Sequence, residues 1–160
     1  MNVKHKAFKF RLYPNKEQQI LLNKTFGCVR FVYNHYLDLK NRLYQEEKKS
    51  LSYSASCKDL TTFKKENTFL KEVDSVALQQ CLKDLNTAFQ NFFRDPKQVG
   101  FPRFKSKKRS RNSYRTEVTN NNLRLEGRKL ILPKVGPVKI KQHREIPEDY
   151  VLKSSTISRL

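Results

Sequence analysis

Apolar and polar residues alternate at the start of the chain. Phe8, Phe10 and Leu12 fall on one side, Lys9 and Arg11 on the other. That period of two predicts a half-buried strand with a basic outer face. Pro14 and Asn15 end it, and Asn15 followed by Gln18 forms the capping-box pair that opens a helix. From about Lys16 the period is helical, with Leu21 and Leu22 inward, then Phe26, Val29, Tyr33, Tyr36, Leu37 and Leu43, ending near Gln45. Gly27 predicts a kink or a turn between two helices. Lys48, Lys49 and Ser50 close the unit.

A shorter helix follows, with Ser54 or Ser56 as its cap and Leu60 and Phe63 inward. Asp74 caps the longest apolar stripe: Ala77, Leu78, Cys81, Leu82, Leu85, Ala88, Phe89, Phe92, Phe93. Cys81 within that stripe reads as a small core residue. After Arg94 the periodicity is lost, and residues 96–112 read as a mobile basic linker or loop. Short alternating runs then predict strands at Ser113–Val118, at Leu123–Leu125 and Leu130–Leu132 around Glu126-Gly127-Arg128-Lys129, at Val138–Ile140 and at Val151–Ser158.

The expected order is one strand, four helices and about five strands. A lone N-terminal strand must pair with something, and the sheet available is C-terminal. The fold class is therefore α+β, with a helical block inserted into a small β unit formed from both ends of the chain. The expected divisions are residues 1–14 (strand), 15–95 (helical lobe), 96–112 (basic linker) and 113–160 (the rest of the β unit).

Charge sharpens this picture. The 34 Lys+Arg and 15 Asp+Glu give a net charge of +19. Residues 1–50 carry +7, residues 51–95 carry 0 and residues 96–160 carry +12. The excess sits on the segments that form the β unit, which points to a polyanion partner. Cys28, Cys57 and Cys81 are odd in number and far apart, so no disulfide framework or CxxC zinc site is written, and a reducing cytoplasm is expected. Met1 to Lys6 lacks the apolar run of a secretory signal, and no stretch is apolar enough for a membrane span. His5, His35 and His143 lie far apart among basic residues and read as surface or polar contacts. No GxxxxGK[ST], GxSxG or HExxH is present. No catalytic residue, metal, cofactor or small-molecule substrate is expected.

Arg103, Lys105, Lys107, Lys108, Arg109 and Arg111 interleave with Phe101, Phe104 and Tyr114. Cations neutralise phosphates, and aromatic faces among them suit unpaired bases or sugars. Lys9, Arg11, Arg30 and Arg115 extend the candidate backbone grip. Tyr114 to Asn122 adds short polar side chains beside a strand, where Asn can read an adenine edge and Thr a thymine methyl. Asn runs also form turns for purely local reasons.

Six strings, in order, resemble one family. They are Lys6–Asn15, Gly27–Asn34, Glu72–Gln80, Asn91–Arg94, Gly100–Lys105 and Tyr114–Asn122. Together they resemble the N-terminal part of the TnpB/OrfB proteins of bacterial insertion sequences, across essentially the whole chain. The resemblance implies transposon-encoded, RNA-guided DNA endonucleases related to type V CRISPR effectors, which older descriptions call transposases with an N-terminal helix-turn-helix. It implies an oligonucleotide-binding-like β-barrel, the wedge, interrupted by a helical recognition lobe. It implies that wedge and lobe hold guide RNA and read a short target-adjacent DNA motif. On matching positions, Tyr53, Ser75, Gln79, Thr119 and Asn120 are the expected motif readers.

Family members continue into a RuvC-like nuclease with catalytic acids and a zinc ribbon. Neither is written in these 160 residues. The expectation is a bacterial, cytoplasmic, non-catalytic binding fragment whose partners are DNA and guide RNA. Two other readings stand beside it. One is a free-standing helix-turn-helix DNA-binding regulator using Lys16–Tyr44. The other is half of a split nuclease, completed in trans by a separate nuclease half.

Overall fold

The computed structural model describes residues 3–159; Met1 and Asn2 of the N-terminal run and Leu160 at the other end lie outside the described residues. The elements are β1 (Arg11–Tyr13), α1 (Lys16–Glu47), α2 (Tyr53–Glu66), a 3₁₀ turn (Thr68–Glu72), α3 (Ser75–Arg94), β2 (Asn112–Glu117), β3 (Arg124–Glu126), β4 (Lys129–Leu132), β5 (Gly136–Lys141) and β6 (Ser154–Arg159). The α+β class and the insertion of helices between β1 and its sheet match the expectation.

α1 opens on the predicted capping box. The Gln18 amide donates to Asn15 Oδ1 at 2.9 Å, and the Asn15 amide donates to Gln18 Oε1 at 3.0 Å. The expected break at Gly27 does not occur: α1 is one 32-residue helix, about 48 Å long at 1.5 Å per residue. A glycine weakens a helix by roughly 1 kcal/mol relative to alanine. Phe26, Cys28 and Val29 are buried around Gly27 and hold the helix through that position. α1 ends at Lys48, a left-handed residue (φ 54°) whose amide reaches back to the carbonyls of Leu43 and Tyr44. Three α-helices and one 3₁₀ turn thus stand among the described residues where four helices were expected.

The cap of α2 is Ser52, ahead of the expected Ser54 or Ser56; its hydroxyl accepts from the Ala55 amide at 3.1 Å. Ser56 is instead buried inside the helix, its hydroxyl donating to the Ser52 carbonyl. Asp74 caps α3 as predicted, accepting from the Val76 amide at 2.9 Å. The α3 stripe is buried at Ala77, Leu78, Cys81, Leu82 and Leu85 and packs on Val29, Val32, Tyr33, Tyr36 and Leu37 of α1. Beyond Leu85 it rises to the surface: Phe89 and Phe92 are half-buried and Phe93 is 68% exposed, not inward as its spacing predicts. A straight helix keeps its stripe covered only as far as its neighbours extend.

The N-terminal strand pairs antiparallel with β5, in a four-stranded sheet ordered β1-β5-β4-β3. Leu12 opposes Ile140 and Leu130 opposes Val138, so one face is apolar. Gly127, at φ 59°, supplies the left-handed residue of the tight β3–β4 turn. The expected closed barrel is not formed. β2 and β6 make a separate two-stranded ribbon. Its inward pair, Tyr114 opposite Ile157, packs against the helices rather than across a barrel, with the Tyr114 ring 5.7 Å from Phe26. The apolar face that barrel closure needs is already covered. Among the described residues, no helix is long and apolar enough to cross a membrane.

Candidate nucleic-acid interface

The Thr119–Asn122 turn owes its shape to asparagine. Asn120 and Asn121 are both left-handed, at φ 53° and 60°, a conformation asparagine tolerates better than most residues. Asn122 holds the turn closed: its Oδ1 accepts from the Thr119 amide and its Nδ2 donates to the Glu117 carbonyl. Asn120 is left exposed.

This turn meets the N-terminus of α3. Asp74, Ser75, Val76, Thr119, Asn122, Pro133 and Lys134 line one cleft of about 270 Å³. Two expected motif readers, Ser75 and Thr119, are therefore brought together from positions far apart in the sequence. Gln79 is exposed one turn further along α3, and Asn120 adjoins Thr119. Tyr53 is half-buried at the first position of α2, outside the cleft lining. Burial first, then a hydrogen bond with Cys57 and the charge of Glu117, push its hydroxyl up to about 12. Asn122, Pro133 and Lys134 were missed by the sequence reading. Asn122 closed the Asn run it had noted, and Lys134 (φ 68°) lies in the turn between β4 and β5.

The predicted cations divide into two sets. Lys9, Arg11, Arg103, Lys107, Lys108, Arg109 and Arg111 are exposed. Arg30, Lys105 and Arg115 are engaged within the chain. Arg30 donates to Asn112 Oδ1 at 2.6 Å. Arg115 donates to Gln80 Oε1 at 2.7 Å and to Asp84 Oδ1 at 3.1 Å, joining β2 to α3. Lys105 Nζ lies 4.2 Å from the centre of the Tyr33 ring. With Arg111, Ser110, Ser113 and Thr156, Lys105 and Arg115 line a second cleft, of about 400 Å³.

The basic segment expected to be a mobile linker or loop is a loop strapped to the helices. Asn34 of α1 donates to the Lys105 carbonyl and accepts from the Lys105 amide, both at 2.7 Å. Phe101 sets its edge against Phe89 and Phe92 of α3, at 5.4 and 5.2 Å. Ser106 and Ser110 close a small turn that displays Lys107, Lys108 and Arg109.

Sheet register adds cations that the sequence reading did not name. Arg11 opposes Lys141, while Tyr13, Lys139 and Lys129 lie in line across β1, β5 and β4. Directly paired residues share a face, so one side of the sheet is a basic stripe. The alternation Val138-Lys139-Ile140-Lys141 carried that signal. Among the described residues, no three His, Cys, Asp or Glu side chains converge as metal ligands. Burial pushes the Cys28 and Cys81 thiols up, away from the reactive thiolate.

Fold and surface together define a basic α+β protein shaped to meet a polyanion. Its residues 1–49 match the model of a helix-turn-helix domain of OrfB proteins from IS605 elements. Over 157 residues it is 43% identical to an inferred RNA-guided DNA endonuclease of Streptomyces pristinaespiralis, an alignment covering 96% of this chain and 38% of the relative. It is 35% identical over 155 residues to InsQ of Escherichia coli K-12, described in the same terms, covering 96% of this chain and 37% of InsQ. A third relative, virulence protein VsdF of Salmonella dublin, is 40% identical over 111 residues, 64% of this chain and 93% of VsdF. The chain belongs to the TnpB/OrfB family. It spans less than two-fifths of the length of the two endonuclease relatives. Within the residues that match the helix-turn-helix model, those described form β1 and one uninterrupted helix; the next helix begins only at Tyr53.

Proposed function

We propose that these residues are the nucleic-acid-binding unit of a transposon-associated, RNA-guided DNA endonuclease of bacterial cytoplasm. They bind guide RNA and a short target-adjacent duplex motif, and they do not themselves cut. The observation that carries the reading is the cleft shared by Ser75 and Thr119 at the N-terminus of a 20-residue helix. Asp74 already caps this helix end and takes the Val76 amide, so what the cleft offers a ligand is the Ser75 and Thr119 side chains and the Lys134 cation that line it with them. Gln79 and Asn120 beside it carry amides suited to base edges. The exposed loop cations and the basic face of the sheet supply the sequence-independent grip. The description of the two longer relatives as RNA-guided DNA endonucleases supports the guide-RNA element of the proposal. A helix-turn-helix regulator acting through Lys16–Tyr44 requires a turn that α1 lacks.

Selection from a random duplex library tests this. The protein, purified without nuclease treatment so that bound RNA is retained and sequenced, should enrich one short motif. Gln79→Ala and Asn120→Ala should relax preference at single positions by about 1–3 kcal/mol. Loop-cation changes should weaken all sequences alike. Identical behaviour of the two sets would overturn the assignment of the cleft.

A further inference from the structure

We infer that the C-terminal end of α3 and the start of the basic loop form a stacking platform for unpaired nucleotides, centred on Phe93. This site is distinct from the duplex-reading cleft and rests on the nucleic-acid reading above.

Phe93 belongs to the α3 stripe by spacing, yet 68% of it is exposed. It is held from behind. Its ring stands 6.2 Å from Phe89, nearly parallel, and 5.6 Å from Phe92. Phe101 of the loop closes the cluster edge-on against both of those rings and is itself 43% exposed. Lys40 Nζ sits 5.4 Å from the centre of the Phe89 ring, so a cation lies against the cluster. The result is a braced aromatic face rather than a loose side chain. Phe104 follows in the same loop, 58% exposed, immediately before the Lys105 strap.

An exposed apolar face takes either a protein surface or nucleobases. Charge decides between them here. Arg94 adjoins Phe93, Arg103 lies between Phe101 and Phe104, and no acid occurs from residue 96 to residue 116. A protein partner would have to bring its own acidic rim, whereas a polynucleotide brings phosphates one nucleotide from every base. Duplex bases are already stacked and offer no free face, so the matching ligand is single-stranded. RNA and DNA strands share this chemistry.

The test is titration of the whole chain with a single-stranded RNA, the matching single-stranded DNA and a blunt-ended DNA duplex, at fixed salt, for wild type, Phe93→Leu and Phe93→Tyr. Phe93→Leu should weaken both single strands about tenfold and leave the duplex unchanged, because loss of one stacking contact weakens binding by roughly that factor. Phe93→Tyr should restore it. A 2-aminopurine placed in the strand should be quenched on binding wild type, which reads stacking without relying on any variant. Leucine binding as tightly as phenylalanine, or no quenching on a strand that does bind, would overturn the platform, mark the patch as a protein-docking face and leave the duplex reading intact. Failure of wild type to bind any of the three ligands would instead remove the nucleic-acid reading itself.

Discussion

The helical block and the β unit are built on different terms. In the helical block, Val32, Tyr36, Leu37, Leu78, Leu82 and Leu85 are at most 1% exposed, and α3 is buried with α1 from Ala77 to Leu85. Residues 51–95, which contain α2 and α3, carry no net charge. The β unit has strands of three to six residues, an open sheet and a separate ribbon, and together with the basic loop that precedes β2 it carries most of the net positive charge. Among the described residues its polar connections to the helices are few and specific: Arg115 to Gln80 and Asp84, Arg30 to Asn112, Arg159 to Asn23, and Gln18 Nε2 to the Pro137 carbonyl. Stability is concentrated where charge is absent, and charge where the fold is thin. Like charges repel, so a surface meant for a polyanion is tolerated best when its scaffold is stabilised elsewhere.

The largest expected effect tests that contrast directly. Leu82→Ala removes a fully buried side chain between α3 and α1 and should cost about 3 kcal/mol. Leu130→Ala, at a half-buried position in β4, should cost about 1 kcal/mol. Urea denaturation of both variants measures the difference. Equal losses would mean that the sheet, not the helical pair, holds the molecule together.

Charge can be separated from stability in the same way. Replacing Lys107, Lys108, Arg109 and Arg111 by Ser changes exposed residues and should move stability by no more than about 0.5 kcal/mol. The slope of log K against log salt for duplex DNA should become shallower by about 3. The same substitution at Lys58 and Lys65, exposed cations of the neutral block, should leave that slope unchanged. A slope that responds equally to both sets would dissolve the distinction between scaffold and grip.

What the sequence made legible follows the same divide. Local signals were reliable: the Asn15–Gln18 box, the Asp74 cap, the β3–β4 hairpin and the return of β1 to the C-terminal sheet all stand in the structure. Each depends on residues close in sequence, or on the need of a short strand for a partner. Gly27 misled because tertiary burial of its neighbours outweighs helix propensity. Phe93 misled because spacing assigns a face to a residue without showing how far the facing helix extends. The cleft was legible only in part. Ser75 and Thr119 came from family resemblance, whereas Lys134 enters through a tertiary approach that no local pattern records. The Arg30, Lys105 and Arg115 contacts were hidden for the same reason: cations engaged within the fold read like any others in a basic sequence.

The strap between the two regions gives a smaller effect. Asn34→Ala deletes both hydrogen bonds to the Lys105 backbone and should cost roughly 1–2 kcal/mol. It should also expose Arg103–Arg111 to trypsin well before the rest of the chain unfolds. Unchanged proteolysis would show that the Phe101 packing alone holds the loop.

The smallest expected effect concerns His35, whose ring stacks 3.9 Å from Phe63 and meets Tyr36 edge-on. Burial lowers its pKa below the usual 6.5; Arg42 adds to this, while Asp59, Asp38 and Glu66 pull the other way. Because the folded value lies below the unfolded one, the unfolded chain takes up the proton first as pH falls. The contribution to stability is full above pH 6.5 and declines as pH drops from there towards the lowered value. His35→Phe keeps an aromatic ring against Phe63 and removes the titration. Between pH 7.5 and pH 5.5 the melting temperature of wild type should therefore fall further than that of the variant. Parallel declines would mean that the three carboxylates offset burial completely, and that the helical block carries no pH sensitivity of its own at this site.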